Sequence, residues 1–137
     1  RLAPVDYHRY HFPCDCVQES PSLVIPGKYH SVNPVALAER PDIYAENTRQ
    51  ITLLSSPVFG RFLFLEVGAF GVGSIVSTSG PGAHGKMEEK GYFKFGGSTV
   101  ILIFEAEKIS WEEDLLKNTG EELETLVRCG STLARGK

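Results

Sequence analysis

A serine stands between a pair of glycines and a run of apolar residues. Gly96 and Gly97 precede Ser98 and Thr99, and residues 100–104 are Val, Ile, Leu, Ile and Phe. Glycine adopts backbone conformations that other residues resist, and a serine hydroxyl can attack a neighbouring carbonyl when a base is near. Two interpretations follow: a β-bulge or tight turn in which Ser98 binds local backbone groups, or a site at which the chain cuts itself between Gly97 and Ser98.

Two histidines and two cysteines lie close together near the start of the chain: His8, His11, Cys14 and Cys16. Imidazole and thiolate are good zinc ligands, and four ligands complete a structural zinc site, although such ligands normally come as two separated pairs. Imidazole also titrates near neutral pH, which suits acid and base catalysis. The pattern therefore allows a turn that enters the core, a zinc site, or a catalytic pair of histidines.

The three cysteines argue against a disulfide framework. Cys14 and Cys16 are too close along the chain to bridge without strain, and an odd number cannot all pair. We therefore expect a reducing compartment. The chain opens at Arg1 without the charged and apolar regions of a signal peptide, and we expect this start to be a cut in a longer protein.

Composition excludes several classes of protein. The chain has 137 residues, of which 42% are hydrophobic and 23% charged, as is usual for one globular domain. Lys and Arg number 14 against 17 Asp and Glu, a net charge of -3 that argues against a nucleic-acid partner. The longest apolar stretch, 62–76, is interrupted by Glu66 and three glycines, so we predict no membrane span.

Short apolar runs separated by 14 glycines and eight prolines indicate a mainly β fold of the α+β class. We expect packed antiparallel sheets or a barrel-like β domain with one or two short helices. Several runs are continuously apolar, which predicts strands buried on both faces. The predicted strands cover residues 50–54, 61–68, 73–78, 92–95, 99–105 and 124–129.

The predicted helices are 34–39 and 111–117. The second begins at a capping-box pattern of Ser110 and Glu113. Small and polar residues make 77–89 the expected exposed loop. His30 and His84 have flanking residues typical of surface histidines.

Four runs of residues, in order along the chain, resemble the phosphatidylserine decarboxylase family. The resemblance extends from about Leu2 to the last ten residues, apart from the loop at 80–85, and Gly-Gly-Ser-Thr is the cleavage motif common in the family's second type. The runs are 6–13, 67–69 with 72–75, 90–99, and 124–128 with Gly130.

The resemblance implies a covalent cofactor made from the chain itself. Ser98 would become a pyruvoyl group and Gly97 would end the other fragment. His11 matches the histidine that activates the serine in the family, and His8 matches the one linked to decarboxylation. The family places the aspartate of this triad upstream of the present motif, so Asp6 is not its counterpart. No metal is implied.

The resemblance also implies a substrate, partners and a location. Residues 1–137 would be the C-terminal catalytic portion of the domain, with the upstream part absent, cleaved between 97 and 98. The activity would convert phosphatidylserine to phosphatidylethanolamine and carbon dioxide. Expected partners are a membrane surface, bacterial inner or organellar, the chain's own upstream segment and a second copy in a homodimer. Two alternatives remain: a decarboxylase of a free amino acid such as tryptophan, and a noncatalytic zinc-held β module.

Overall fold

The computed structural model describes residues 1–70, 74–94 and 97–137. Within these ranges the chain forms short strands and three short helices. In chain order the elements are β1 (Arg9–His11), β2 (Cys16–Gln18), β3 (Leu23–Ile25), α1 (Pro34–Glu39), α2 (Ile43–Glu46), β4 (Arg49–Ser56), β5 (Gly60–Gly68), β6 (Ser74–Ser77), β7 (Gly82–His84), β8 (Glu89–Lys94), β9 (Ser98–Phe104), β10 (Ile109–Trp111), α3 (Glu113–Gly120) and β11 (Ala134–Gly136).

The larger sheet is antiparallel, with strand order β7-β2-β4-β5-β9, and β3 also pairs with β4. β5 lies between β4 and β9 along almost its whole length. Phe64 of β5 is opposite Thr52 on one side and Leu102 on the other. Directly opposite residues share a face of a sheet, so this register fixes which side chains of β9 point toward the core.

The second sheet, β1-β8-β6, packs its aromatic residues on the inner face of the larger sheet. The ring centroid of Tyr10 lies 4.9 Å from that of Phe93 in the same sheet and 5.9 Å from that of Phe64 across the interface. Leu54 and Phe62 complete the contact from the larger sheet. The prediction of a mainly β, α+β fold with packed antiparallel sheets is confirmed.

Five predicted strands correspond to β4, β5, β6, β8 and β9. Their ends differ from the predicted ones by at most three residues, and the predicted positions 73 and 95 lie outside the described residues. The prediction that several of these strands are buried on both faces is wrong over much of their length. On the outer face of the larger sheet Leu53 and Ile103 are exposed, whereas Val67 and Thr99, at the end of that face near Ser98, are buried.

The predicted strand at 124–129 is also wrong: residues 123–128 have no regular structure. Its Thr, Leu and Val residues suggested a strand, yet Leu126 is 90% exposed. Positive φ angles at Glu122 (59°) and Gly130 (89°) turn the chain at both ends of this segment. β11 forms farther along and pairs with β10.

Helix α1 occupies the predicted 34–39, and Asn33 caps it by accepting from the backbone N–H of Ala36. The second predicted helix begins two residues late, at Glu113, because Trp111 pairs with Ala134 as part of β10. The predicted capping box therefore does not form. Helix α2 was not predicted. No helix among the described residues is both long and apolar enough to cross a bilayer.

The predicted loop at 77–89 contains strand β7, which pairs with β2. His84, at the end of β7, is not a surface histidine. Its ring stacks on Phe12 at a centroid distance of 4.0 Å and its nitrogens contact Glu88 and the carbonyl of Gly80. His30 is half-buried, with Nε2 3.2 Å from a carboxylate oxygen of Glu46. The contacts of His84 with Phe12, Glu88 and Gly80, and that of His30 with Glu46, fix both side chains at the edge of the core.

Candidate active site

Ser98 is the first residue of β9 and lies opposite Gly68 of β5. It is 1% exposed. On the free edge of β9, the backbone N–H of Leu2 donates to the carbonyl of Ser98 (2.8 Å), and the N–H of Ser98 donates to the carbonyl of Leu2 (3.3 Å). The peptide nitrogen between residues 97 and 98 is therefore held by a partner from the start of the chain.

His8 is the imidazole that contacts this serine. Its Nδ1 lies 3.3 Å from Oγ of Ser98. The carbonyl of His8 accepts from the N–H of Phe93 (3.0 Å), which anchors its backbone to β8. Nε2 of His8 is buried and has no hydrogen-bond partner among the described residues. With the proton on Nε2, Nδ1 can accept the hydroxyl proton of Ser98.

His11, three residues along, has both ring nitrogens engaged elsewhere. Nε2 lies 2.9 Å from the hydroxyl of Tyr7, and Nδ1 lies 2.9 Å from the carbonyl of Met87. The Tyr7 ring stacks parallel to the imidazole at 5.8 Å. The structure thus brings His8 to the Ser98 hydroxyl and bonds His11 to a different part of the chain.

Gly97 adjoins a second, smaller core cluster, which is formed by Val32, Ile43 and Ala69. A Cβ added at this position would lie 3.4 Å from Cγ2 of Val32 and 3.7 Å from the carbonyl oxygen of Leu2. These are ordinary contact distances, so space alone does not require glycine. The absence of a side chain leaves the carbonyl carbon of Gly97 easier to approach from Ser98.

Cys14 and Cys16 are buried in the main core and both are free thiols. A hydrogen bond from the Cys16 thiol lowers the pKa of Cys14 to about 7, whereas the same interaction raises the pKa of Cys16. Within the described ranges, no group of three or more His, Cys, Asp or Glu side chains is arranged to hold a metal ion. The described residues therefore provide no zinc site.

Sequence reasoning missed a buried ion pair near Ser98. Glu66 on β5 and Lys90 on β8 are 0% and 1% exposed by side chain, and the Nζ of Lys90 contacts Oε1 of Glu66. Burial raises the pKa of the Glu66 carboxyl, and the cation of Lys90 opposes that rise. The signal in the sequence was a charged residue, Glu66, inside the predicted apolar strand 61–68; Lys90 lies outside the predicted strand 92–95 and gave no such signal.

A cavity of about 1120 Å³ adjoins the site. Leu2 and Val100, both near Ser98, form part of its wall, and Phe104 and Trp111 line it farther along β9 and β10. The segment that had been predicted as a strand, residues 124–129, forms another wall. The cavity is mainly apolar, and the described residues that line it do not include Ser98 or His8. Its charged lining residues are Arg1, Asp6, Arg9, Asp15, Lys86, Glu124 and Arg128.

Fold and site together define a small β domain in which a buried serine follows a glycine pair and contacts an imidazole. Residues 1–135 match the family model described as phosphatidylserine decarboxylase. The chain belongs to the phosphatidylserine decarboxylase family. The resemblance found in its motifs is thereby confirmed.

Three relatives illustrate the match, each named phosphatidylserine decarboxylase proenzyme. The protein of Chlamydia muridarum (strain MoPn / Nigg) is 46% identical over 98% of this chain and 45% of its own length. That of Chlamydia pneumoniae is 47% identical over 100% of this chain and 46% of its own length. That of Clostridium novyi (strain NT) is 46% identical over 97% and 45%. The chain spans about half the length of these relatives.

Proposed function

We propose that this chain carries the catalytic serine of a pyruvoyl-dependent decarboxylase that converts phosphatidylserine to phosphatidylethanolamine and carbon dioxide. We further propose that residues 1–137 form the C-terminal catalytic portion of that enzyme. The observation that carries the proposal is the contact between Ser98 Oγ and His8 Nδ1, directly after Gly97, in a chain of this family.

The bonds made and broken in maturation belong to residues 97 and 98 and to water. Ser98 Oγ gives its proton to an imidazole and bonds to the carbonyl carbon of Gly97, and the peptide C–N bond breaks as the nitrogen takes up a proton. The ester then loses the Cα proton of residue 98, and the Cβ–Oγ bond breaks to release Gly97 as a carboxylate. Water hydrolyses the remaining dehydroalanine to a ketone and ammonia. Each step moves a proton, which an adjacent imidazole can accept or supply.

The pyruvoyl group, once formed at residue 98, supplies a carbonyl that binds the substrate amine and accepts the electrons left by departing carbon dioxide. The local residues suit such a group. Ser98 is buried, which keeps bulk water from the reacting carbon. His8 lies within reach of the atoms of residue 98 and can hold or deliver a proton there. His11 is proposed, on the family motif, to assist self-cleavage.

We propose that the active enzyme works at a membrane surface. Val5, Val35 and Phe70 are 94%, 71% and 74% exposed. Each of these three residues is close in sequence to a residue at the site. Val5 follows Leu2 and Phe70 follows Gly68, and both Leu2 and Gly68 pair with Ser98. Val35 follows Val32, which lies beside Gly97. Exposed apolar side chains around a site are a feature of membrane-interaction surfaces.

The apolar outer face of the larger sheet suits a second copy of the chain in a homodimer.

Mass spectrometry of the purified protein tests the proposal. We expect a break after Gly97 and a second fragment whose blocked first residue gains a hydrazone mass with phenylhydrazine. Ser98→Ala should remain intact and release no carbon dioxide from phosphatidylserine vesicles, because it lacks both the nucleophile and the oxygen that is eliminated. A fully active Ser98→Ala variant would refute the mechanism, and turnover of free serine or tryptophan without vesicles would refute the lipid substrate.

A further inference from the structure

The Glu66–Lys90 pair is an unusual feature of this core. Both side chains are essentially inaccessible to water, and only one oxygen of the carboxylate, Oε1, is bound by the ammonium. The other oxygen, Oε2, is buried without a hydrogen-bond partner among the described residues. Removing a carboxylate and an ammonium from water is costly, and a pair of apolar residues often serves stability as well or better. Stability alone is therefore a weak explanation for this pair.

The register of the larger sheet places Glu66 beside Ser98. Glu66 is directly opposite Val100, and Gly68 is directly opposite Ser98. Side chains two residues apart on a strand share a face, so Glu66 and Ser98 point to the same inner side. Glu66 and Ser98 are diagonal neighbours on adjacent strands, and the Cα atoms of such neighbours lie about 7–8 Å apart.

Lys90 approaches the carboxylate from the side away from Ser98. Its Nζ lies 5.0 Å from the ring centroid of Phe64 and 5.9 Å from that of Tyr10. Phe64 precedes Glu66 on β5 by two residues, whereas Gly68, the partner of Ser98, follows it by two. The positive end of the pair is thus directed toward Phe64, and the negative end is nearer to Ser98 and His8.

We propose that Glu66 is a positioning residue for the Ser98–His8 pair. Its negative charge stabilises the imidazolium that forms when His8 takes the hydroxyl proton of Ser98, and Lys90 holds the carboxylate in place and ionised. The inference rests on the proposed self-cleavage at residue 98. The charge acts across a buried region in which electrostatic interactions are stronger than in water. It acts on the proton transfer and touches neither the scissile bond nor the substrate.

A double variant separates positioning from a purely structural role. Glu66→Leu with Lys90→Met replaces the pair by apolar side chains and leaves no buried charge without a partner. Cleavage after Gly97 is followed on a gel in the full protein, and the thermal midpoint is measured in the same variants carrying Ser98→Ala. We expect a thermal midpoint close to that of the parent and a cleavage rate lower by on the order of tenfold.

Matched variants complete the experiment. Glu66→Gln keeps the shape and removes the charge, so it should be slow, whereas Glu66→Asp keeps the charge and should recover part of the rate. Thr52→Val is the control: Thr52 is buried on the same inner face, bonded to Ser22, and lies away from Ser98, so the variant should cleave at the parental rate.

The outcomes are distinct. Parental cleavage in the folded double variant, or in folded Glu66→Gln, would overturn the inference while leaving the proposed function intact. If the double variant does not fold, Glu66→Gln and Glu66→Asp decide, since equal rates in the two would also overturn it. Failure of the parent protein to cleave after Gly97 would overturn the proposed function itself.

Discussion

The backbones of Leu2 and Ser98 form two reciprocal hydrogen bonds, with N···O distances of 2.8 and 3.3 Å. One of these hydrogen bonds involves the amide nitrogen that would leave in the proposed cleavage after Gly97. The start of the chain therefore holds the peptide proposed to be cleaved, although 96 positions separate the two residues in the sequence. The side chain of Leu2 adds a contact with the main core.

Leu2→Pro removes the N–H that donates to the Ser98 carbonyl and should slow self-cleavage roughly fivefold, the effect of losing about 1 kcal/mol. Leu2→Ala keeps that N–H and loses only side-chain packing, so it should cleave faster than Leu2→Pro. Gel kinetics of the two variants measure the difference. Equal rates would show that the backbone bond does not assist cleavage.

Substitutions of His8 and of His11 should impair different steps of the proposed reaction. His8→Ala should lower decarboxylation by roughly 10²–10⁴-fold, because it removes the imidazole at residue 98. The family motif assigns activation of the serine to His11, whereas the geometry places His8 at the hydroxyl. The cleavage rates of His8→Ala and His11→Ala therefore identify the base. Rates are measured by gel for cleavage and by carbon dioxide release for turnover. Normal cleavage and turnover in both variants would assign both residues to the structure alone.

Much of the fold followed from local patterns. The strands β4, β5 and β9 have runs of Val, Ile, Leu and Phe. Those runs predicted strands in packed antiparallel sheets. The segment 124–129 has a similar pattern but no strand beside it, because strand formation depends on a partner that the local sequence does not specify. The short strands β1, β2 and β7 form by pairing with distant residues for the same reason.

The site followed from sequence only in part. Ser98, Gly97 and His8 were candidates because their types are chemically informative and their order matches the family's motifs. The contact between His8 and Ser98 depends on the packing of β1 and β8 over β9, which spacing along the chain does not give. Glu66 was missed because a charged residue in an apolar run becomes informative only when its partner on another strand is known. Lys90 was missed because it lies outside the predicted strand 92–95.

Cys14 is buried but lines the cavity, through which iodoacetamide can reach it. It should react with a midpoint near pH 7, because the hydrogen bond from Cys16 lowers the pKa of its thiol to about 7. Cys16→Ala removes that bond and should move the midpoint up toward the ordinary value of 9.0. Peptide mass spectrometry over a pH series measures labelling, with the exposed Cys129 as an internal reference. An unchanged midpoint in Cys16→Ala would show that the two thiols do not interact.

Glu66 should make the protein's stability fall with pH over part of the acidic range. Burial raises the pKa of this carboxyl above its ordinary 4.5, so between 4.5 and the raised value the folded state binds more protons than the unfolded state. The free energy of unfolding due to this group therefore decreases as pH rises through that window. Glu66→Gln lacks this contribution.

The test compares two proteins, both carrying Ser98→Ala so that neither chain is cut. Carboxylates such as Glu88 and Glu89, whose pKa values are lowered by partners, give the opposite slope in both proteins and cancel in the difference. The free energy of unfolding of Glu66→Gln relative to the parent should therefore increase from pH 4 toward pH 7, as measured by urea denaturation at each pH. A relative stability that decreases with pH would mean that Lys90 outweighs burial and lowers the pKa of Glu66.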